Sequence, residues 1–130
     1  MMSNIFLYNT PILPDGFVFP QSYIDTVKSN NIIDLEPWDF LCKDIGKSLS
    51  YYGALLIEYR DQPLIPFAIA SDESACFDGS DKSGDPKVYF HYSGENPVRS
   101  KQYYLENFSA WLESAKEESA QYKADTTEPE

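Results

Sequence analysis

The stretch ACFDGSDKSGDPKVYFHY, residues 75–92, brings together Cys76, Asp78, Asp81, Asp85 and His91, the only histidine of the chain. Oxygen donors spaced this way raise the question of a calcium loop. That pattern demands three ligands at alternate positions and then a glycine at the sixth. Counting from Asp78 reaches Ser80 and then Lys82, a cation where a ligand belongs; counting from Asp81 reaches Ser83 and Asp85 but Pro86 in place of the glycine. Neither register fits. Turn chemistry explains the composition better. Gly79, Ser80, Asp81, Gly84 and Asp85 are turn formers between apolar stretches, and Pro86 removes a donor just before pairing resumes.

Other chemistry finds as little support. A histidine-dependent step must use His91, yet no G-x-S-x-G elbow, H-x-E or H-E-x-x-H accompanies it. Its place in VYFHY sets it on the strand face opposite Val88, Phe90 and Tyr92, as a surface or rim residue. Adjacent carboxylates such as Asp72 and Glu73 are capable of acid–base work. Among 21 acids, however, neighbours arise by chance, and a solvated edge is the simpler reading. No glycine-rich phosphate cradle occurs. Cys42 and Cys76 have neither C-x-x-C spacing nor ligand partners, so both read as reduced, buried residues without zinc. The expectation is a non-enzyme with no cofactor and no metal.

Charge limits the partners. Ten bases stand against 21 acids, a net of −11. Six acids and two lysines fall from Glu113 onward, so residues 1–112 still carry 15 acids against 8 bases. Such a body is repelled by nucleic acid and by anionic membranes, and is steered toward a basic protein. At 130 residues, 42% hydrophobic and 15% aromatic, the chain has enough apolar surface for one packed core. GALLI, residues 53–57, is far too short to cross a bilayer, and the N-terminus has no signal-peptide pattern. The expected location is the cytoplasm.

The elements that must position these groups follow from periodicity. FPQSYIDTVKSNN reads as a helix with Pro20 at its start. A second helix is expected from Pro37, its apolar stripe made of Trp38, Leu41, Cys42, Ile45, Leu49 and Tyr52, with Gly53 at its end. Residues 54–60, 64–71, 75–78 and 87–92 then read as four strands with short links, an antiparallel meander. Ser100 is placed to cap a closing helix whose apolar face is Tyr104, Leu105, Phe108, Trp111, Leu112 and Ala115. The fold class is therefore α+β, one domain over residues 1–120 with helices flanking a mainly antiparallel sheet, and a disordered acidic tail at 121–130.

The order of these pieces resembles the SUKH superfamily, the fold of many bacterial toxin-immunity proteins and of fungal cell-wall regulators. FPQSYIDTV resembles its proline-then-aromatic helix start. LIPFAIASDESACFDGSDKSGDPKVYFHY is similar to its central signature: an apolar strand with PF, an acidic turn, a strand ending in aspartate, a polar loop, then Pro-x-Val-Tyr and an aromatic strand. YLENFSAWLESA is similar to its closing aromatic helix. The resemblance spans roughly residues 18–116, and departs at ASDESA, which lacks the glycines that often flank the first acidic turn. It implies a domain acting by binding: an intracellular immunity protein that neutralises a cognate toxin, often a nuclease or deaminase. A regulatory or scaffolding module of the same fold is the alternative, and a small hydrolase built on His91 ranks third. For a basic toxin the expected contact surface is Asp72, Glu73, Asp78, Asp81 and Asp85 along one end of the meander, joined by Glu58 and Asp61.

Overall fold

The computed structural model describes residues 13–28, 33–58, 63–70, 73–92 and 104–126 of the 130-residue chain. Helix α1 spans Gln21–Lys28, α2 Ile45–Glu58 and α3 Phe108–Thr126. Five strands pair antiparallel in sequence order: β1 (Asp39–Phe40), β2 (Leu64–Ala70), β3 (Glu73–Asp78), β4 (Val88–Tyr92) and β5 (Tyr104–Leu105). The fold is a single α+β domain, a meander flanked by helices.

Strands β2 and β4 carry β-branched and aromatic residues at alternate positions, Ile65, Phe67 and Ile69 in one and Val88 and Phe90 in the other. In β3, Ala75 and Phe77 enter the main core while Cys76 joins a smaller cluster with Leu55 of α2 and Leu64 of β2. On β4, Val88 and Phe90 face that main core and Tyr89 packs on the smaller cluster. Strand β2 is buried along almost its whole length because it has packing on both faces. Pro66 sits inside it without an amide to donate; the register shifts between Pro66 and Ala68, the kind of irregularity at which a strand tolerates proline.

Aromatic rings fill the main core. Phe67 and Phe77 stack at 4.2 Å across β2 and β3, and Trp111 of α3 meets Phe67 edge-on at 4.9 Å. Tyr23 of α1 touches Phe67, Phe77 and Phe108 at 5.1–5.7 Å between ring centres. Each such pair adds about 0.5–1.5 kcal/mol beyond area burial. One buried face of α3, Phe108, Trp111, Ala115 and Ser119, supplies the helical side of the core.

Four boundaries differ from the sequence expectations. The second helix begins at Ile45, not Pro37: Asp44 caps it, its Oδ1 accepting the Lys47 amide at 3.1 Å. Upstream, Asp39 and Phe40 pair with Ile69 and Ala68 as β1, and Leu41–Lys43 make a short 3₁₀ turn. Trp38, Leu41 and Cys42 are buried as expected, but from extended and 3₁₀ backbone. Residues 54–58 are the last part of α2 rather than a strand, since Ala, Leu and Glu are strong helix formers and Leu55 continues the inward face of Ser48 and Tyr52. The closing helix starts at Phe108, capped by Asn107 Oδ1 on the Ala110 amide at 2.9 Å; Tyr104 and Leu105 belong to β5. Ser100 lies outside the described residues.

The fourth difference lies at the C-terminal end of the chain. A disordered tail was the expectation from residue 121, yet α3 continues to Thr126. Gln121 Nε2 donates to Asp125 at 2.8 Å, Thr126 Oγ1 to the Tyr122 carbonyl at 2.9 Å, and Lys123 pairs with Asp34 at 3.3 Å. Local i to i+4 bonds and one tertiary ion pair replace the apolar face that this segment lacks. Residues 127–130 lie outside the described residues.

Candidate interaction surface

The β3–β4 loop, residues 79–87, is built from its own carboxylates. Asp78 Oδ1 accepts the Ser80 amide at 2.9 Å and the Ser80 hydroxyl at 2.6 Å. Asp81 Oδ1 accepts the Ser83 amide at 3.0 Å and its Oδ2 the Lys87 amide at 3.3 Å, while Ser83 Oγ accepts the Asp85 amide. Three side chains in succession thus replace the backbone acceptors that a turn this tight cannot supply. Gly79 is required here: an added Cβ would stand 2.9 Å from the Pro63 carbonyl oxygen that its own amide donates to. Gly84 takes the left-handed backbone at φ 89°. Asp85 accepts from Asn107 Nδ2 at 3.0 Å, linking the loop to the cap of α3.

This geometry revises the surface expected from sequence. Asp78 is only 7% exposed and turned into the loop, so it is not free to face a partner. Asp81 is half-buried; the Ser83 hydroxyl and amide and the Lys87 amide hold its carboxyl below the usual range, against a smaller opposing effect of burial. Asp85 is exposed. Lys82 and Lys87 lie in the same loop and offset its acids. Glu73 is half-buried at the far end of β3 from Asp78, because successive links of a meander fall at opposite ends of the sheet. It and Asp78 therefore do not share one end. Asp61, Asp72 and the Glu58 side chain lie outside the described residues. His91 is half-buried and faces Ser74 across the β3–β4 pair.

A second acidic region was not anticipated. Asp34, Glu36 and Asp39 are all exposed and line a cleft of about 440 Å³ together with Pro37, Lys43 and Tyr122 of α3. The Trp38 amide donates to the Leu35 carbonyl at 2.8 Å, closing a tight turn around the cis Glu36–Pro37 bond. The indole of Trp38 packs at 5.5 Å against Trp111. Asp39 pairs with Lys43 at 2.7 Å. The Glu36 amide and the Lys123 ammonium hold the Asp34 carboxyl below its usual range. Trp38 is 4% exposed, and its Nε1 donor has no acceptor among the described residues. A visible signal did exist: acids at positions 34, 36 and 39 around Pro37-Trp38.

Both cysteines are free and buried, and burial pushes each thiol up, away from ionisation. Among the described residues no group of three or more His, Cys, Asp or Glu side chains is placed to hold a metal, and no described helix is long and apolar enough to cross a membrane. What this surface can do chemically is present carboxylates to a cationic or hydrogen-bonding partner. Comparison with protein-family models, with curated proteins and with solved structures returned no match.

Proposed function

We propose that this chain is an intracellular immunity protein that binds and neutralises a cognate toxin domain with a basic surface. The observation that carries the reading is the cleft: exposed Asp34, Glu36 and Asp39 within six residues, around a turn backed by a packed tryptophan pair. A concave wall of carboxylates on a chain of net −11 attracts lysine- and arginine-rich surfaces, speeds their encounter and fixes their orientation. The SUKH resemblance supports the same reading from an independent direction. The contact surface moves accordingly, from the β3–β4 loop toward the cleft beside α3, with Asp85 as the exposed acid of that loop.

Co-expression tests it. The chain is produced together with the C-terminal domain of a large toxin encoded by the adjacent gene, scoring survival and co-purification. Rescue of growth together with a stable complex is the expected outcome. A folded, soluble chain that neither rescues nor co-purifies overturns the immunity reading; co-purification without rescue points to the scaffolding role.

A further inference from the structure

Ile45, Leu49, Gly53 and Ile57 recur every four residues along α2 and form one ridge of its surface. The helix turns Ser48, Tyr52 and Leu55 inward, which leaves that ridge outside. Ile45 is 56% exposed, Leu49 44% and Ile57 71%. One exposed aliphatic side chain is ordinary on any protein, whereas three in a row form a patch. A Cβ built on Gly53 meets nothing within 4 Å, so the middle of the ridge is an open notch.

Charge and symmetry select what covers it. Residues 45–57 contain no aspartate or glutamate and a single lysine, Lys47, in a chain with 21 acids. Two copies of so acidic a chain repel wherever carboxylates face each other, and on this ridge they do not. Nor does an uncharged ridge hold a strongly basic partner, which separates it from the cleft. Its pattern is also self-complementary. A two-fold axis through Gly53 sets Leu49 of one copy against Ile57 of the other, with glycine on glycine at the centre, as a contact of identical patches requires. Ridges of this spacing interlock at an axis crossing of about 50°, and a glycine at the crossing point lets the helices approach to the short end of the roughly 8–10 Å range. We propose that α2 is a homodimer interface, two copies crossing at Gly53 with Leu49 and Ile57 interdigitated. This does not depend on the toxin-binding reading.

Sedimentation equilibrium of the full chain, from micromolar to submillimolar concentration, tests the proposal. The mass is expected to rise from 14.9 kDa toward twice that value. Leu49→Glu combined with Ile57→Glu is expected to stay monomeric throughout, with unchanged circular dichroism because both side chains are exposed. Should that variant fail to fold, Gly53→Cys gives a separate readout: mild oxidation is expected to link two chains through the new thiol, the native cysteines being buried. A wild-type chain that remains at 14.9 kDa at every concentration overturns the proposal, as does a folded double-glutamate variant that dimerises like wild type. Rescue of toxin-exposed cells by the monomeric variant would leave the function standing apart from the dimer.

Discussion

The β3–β4 loop and the segment from Asp34 to Lys43 have similar acidic composition and opposite uses for it. In the loop, Asp78 and Asp81 accept four hydrogen bonds, three of them from backbone amides, so their carboxylates are structural parts of a turn. Around Trp38 the backbone mostly finds its own partners: Trp38 donates to Leu35 and β1 pairs with β2, while the Glu36 amide uses a carboxylate, Asp34 Oδ1 at 3.1 Å. Among the described residues Asp39 is held only by an exposed ion pair with Lys43, which is individually weak, and Asp34 by a similar pair with Lys123 and the single amide of Glu36. An aspartate is thus available to a partner where the main chain does not need it. Counting acids along a sequence cannot make that distinction.

The largest effect should come from the support of the cleft. Trp111 is 1% exposed and meets Trp38, Phe40 and Phe67. Trp111→Ala is expected to lower stability by about 3–5 kcal/mol in urea unfolding. A loss below about 1 kcal/mol would mean that α3 is not packed against the sheet as described.

Next comes the loop. Asp78→Ala leaves the Ser80 amide and hydroxyl without their acceptor in a part-buried site, and should cost about 1–3 kcal/mol. If instead stability is unchanged while binding of a basic partner weakens, the contrast between the two regions collapses. Loop and cleft would then both serve recognition.

The cleft predicts the reverse. Glu36→Gln with Asp39→Asn should change stability by less than about 0.5 kcal/mol, the range of ordinary surface changes. Association with the toxin domain should slow at low salt, and the difference should shrink as salt rises, because exposed charges are screened over about 8 Å at physiological ionic strength. Stopped-flow association at two ionic strengths checks it; identical rates for variant and wild type would place the contact elsewhere.

The smallest effect is a pH dependence. The folded carboxyl of Asp81 lies below its ordinary value, so its contribution to stability is present above the unfolded value near 3.8 and is lost as pH falls through the folded one. Asp81→Asn should therefore flatten the loss of stability on acidification below about pH 4. Parallel melting curves for wild type and variant over that range would show that the Ser83 and Lys87 bonds do not favour the charged form.

Much of the fold was legible in residue order. Pro20 marks the start of α1, the alternation of Val88 and Phe90 with Tyr89 and His91 sets β4, and glycines and aspartates mark the loop between strands. Each of these signals is local: a missing amide, a period of two, a φ that only glycine adopts freely. The acid excess is likewise a property of composition alone. Tertiary structure decided the rest. Trp38, Leu41 and Cys42 carry a helical spacing yet reach the core from extended and 3₁₀ backbone, because the edge of β2 offers Asp39 and Phe40 a ladder and Asp44 supplies a better cap. Ile45 and Leu49 share that stripe and are exposed, because only Ser48, Tyr52 and Leu55 face the body once the helix begins at residue 45. Residues 121–126, which show no apolar period, stay helical where Lys123 reaches Asp34, a contact 89 positions apart in the chain. Periodicity records which residues prefer to leave water; which backbone delivers them, and which carboxylates remain outside, depends on neighbours that only the folded chain brings into reach.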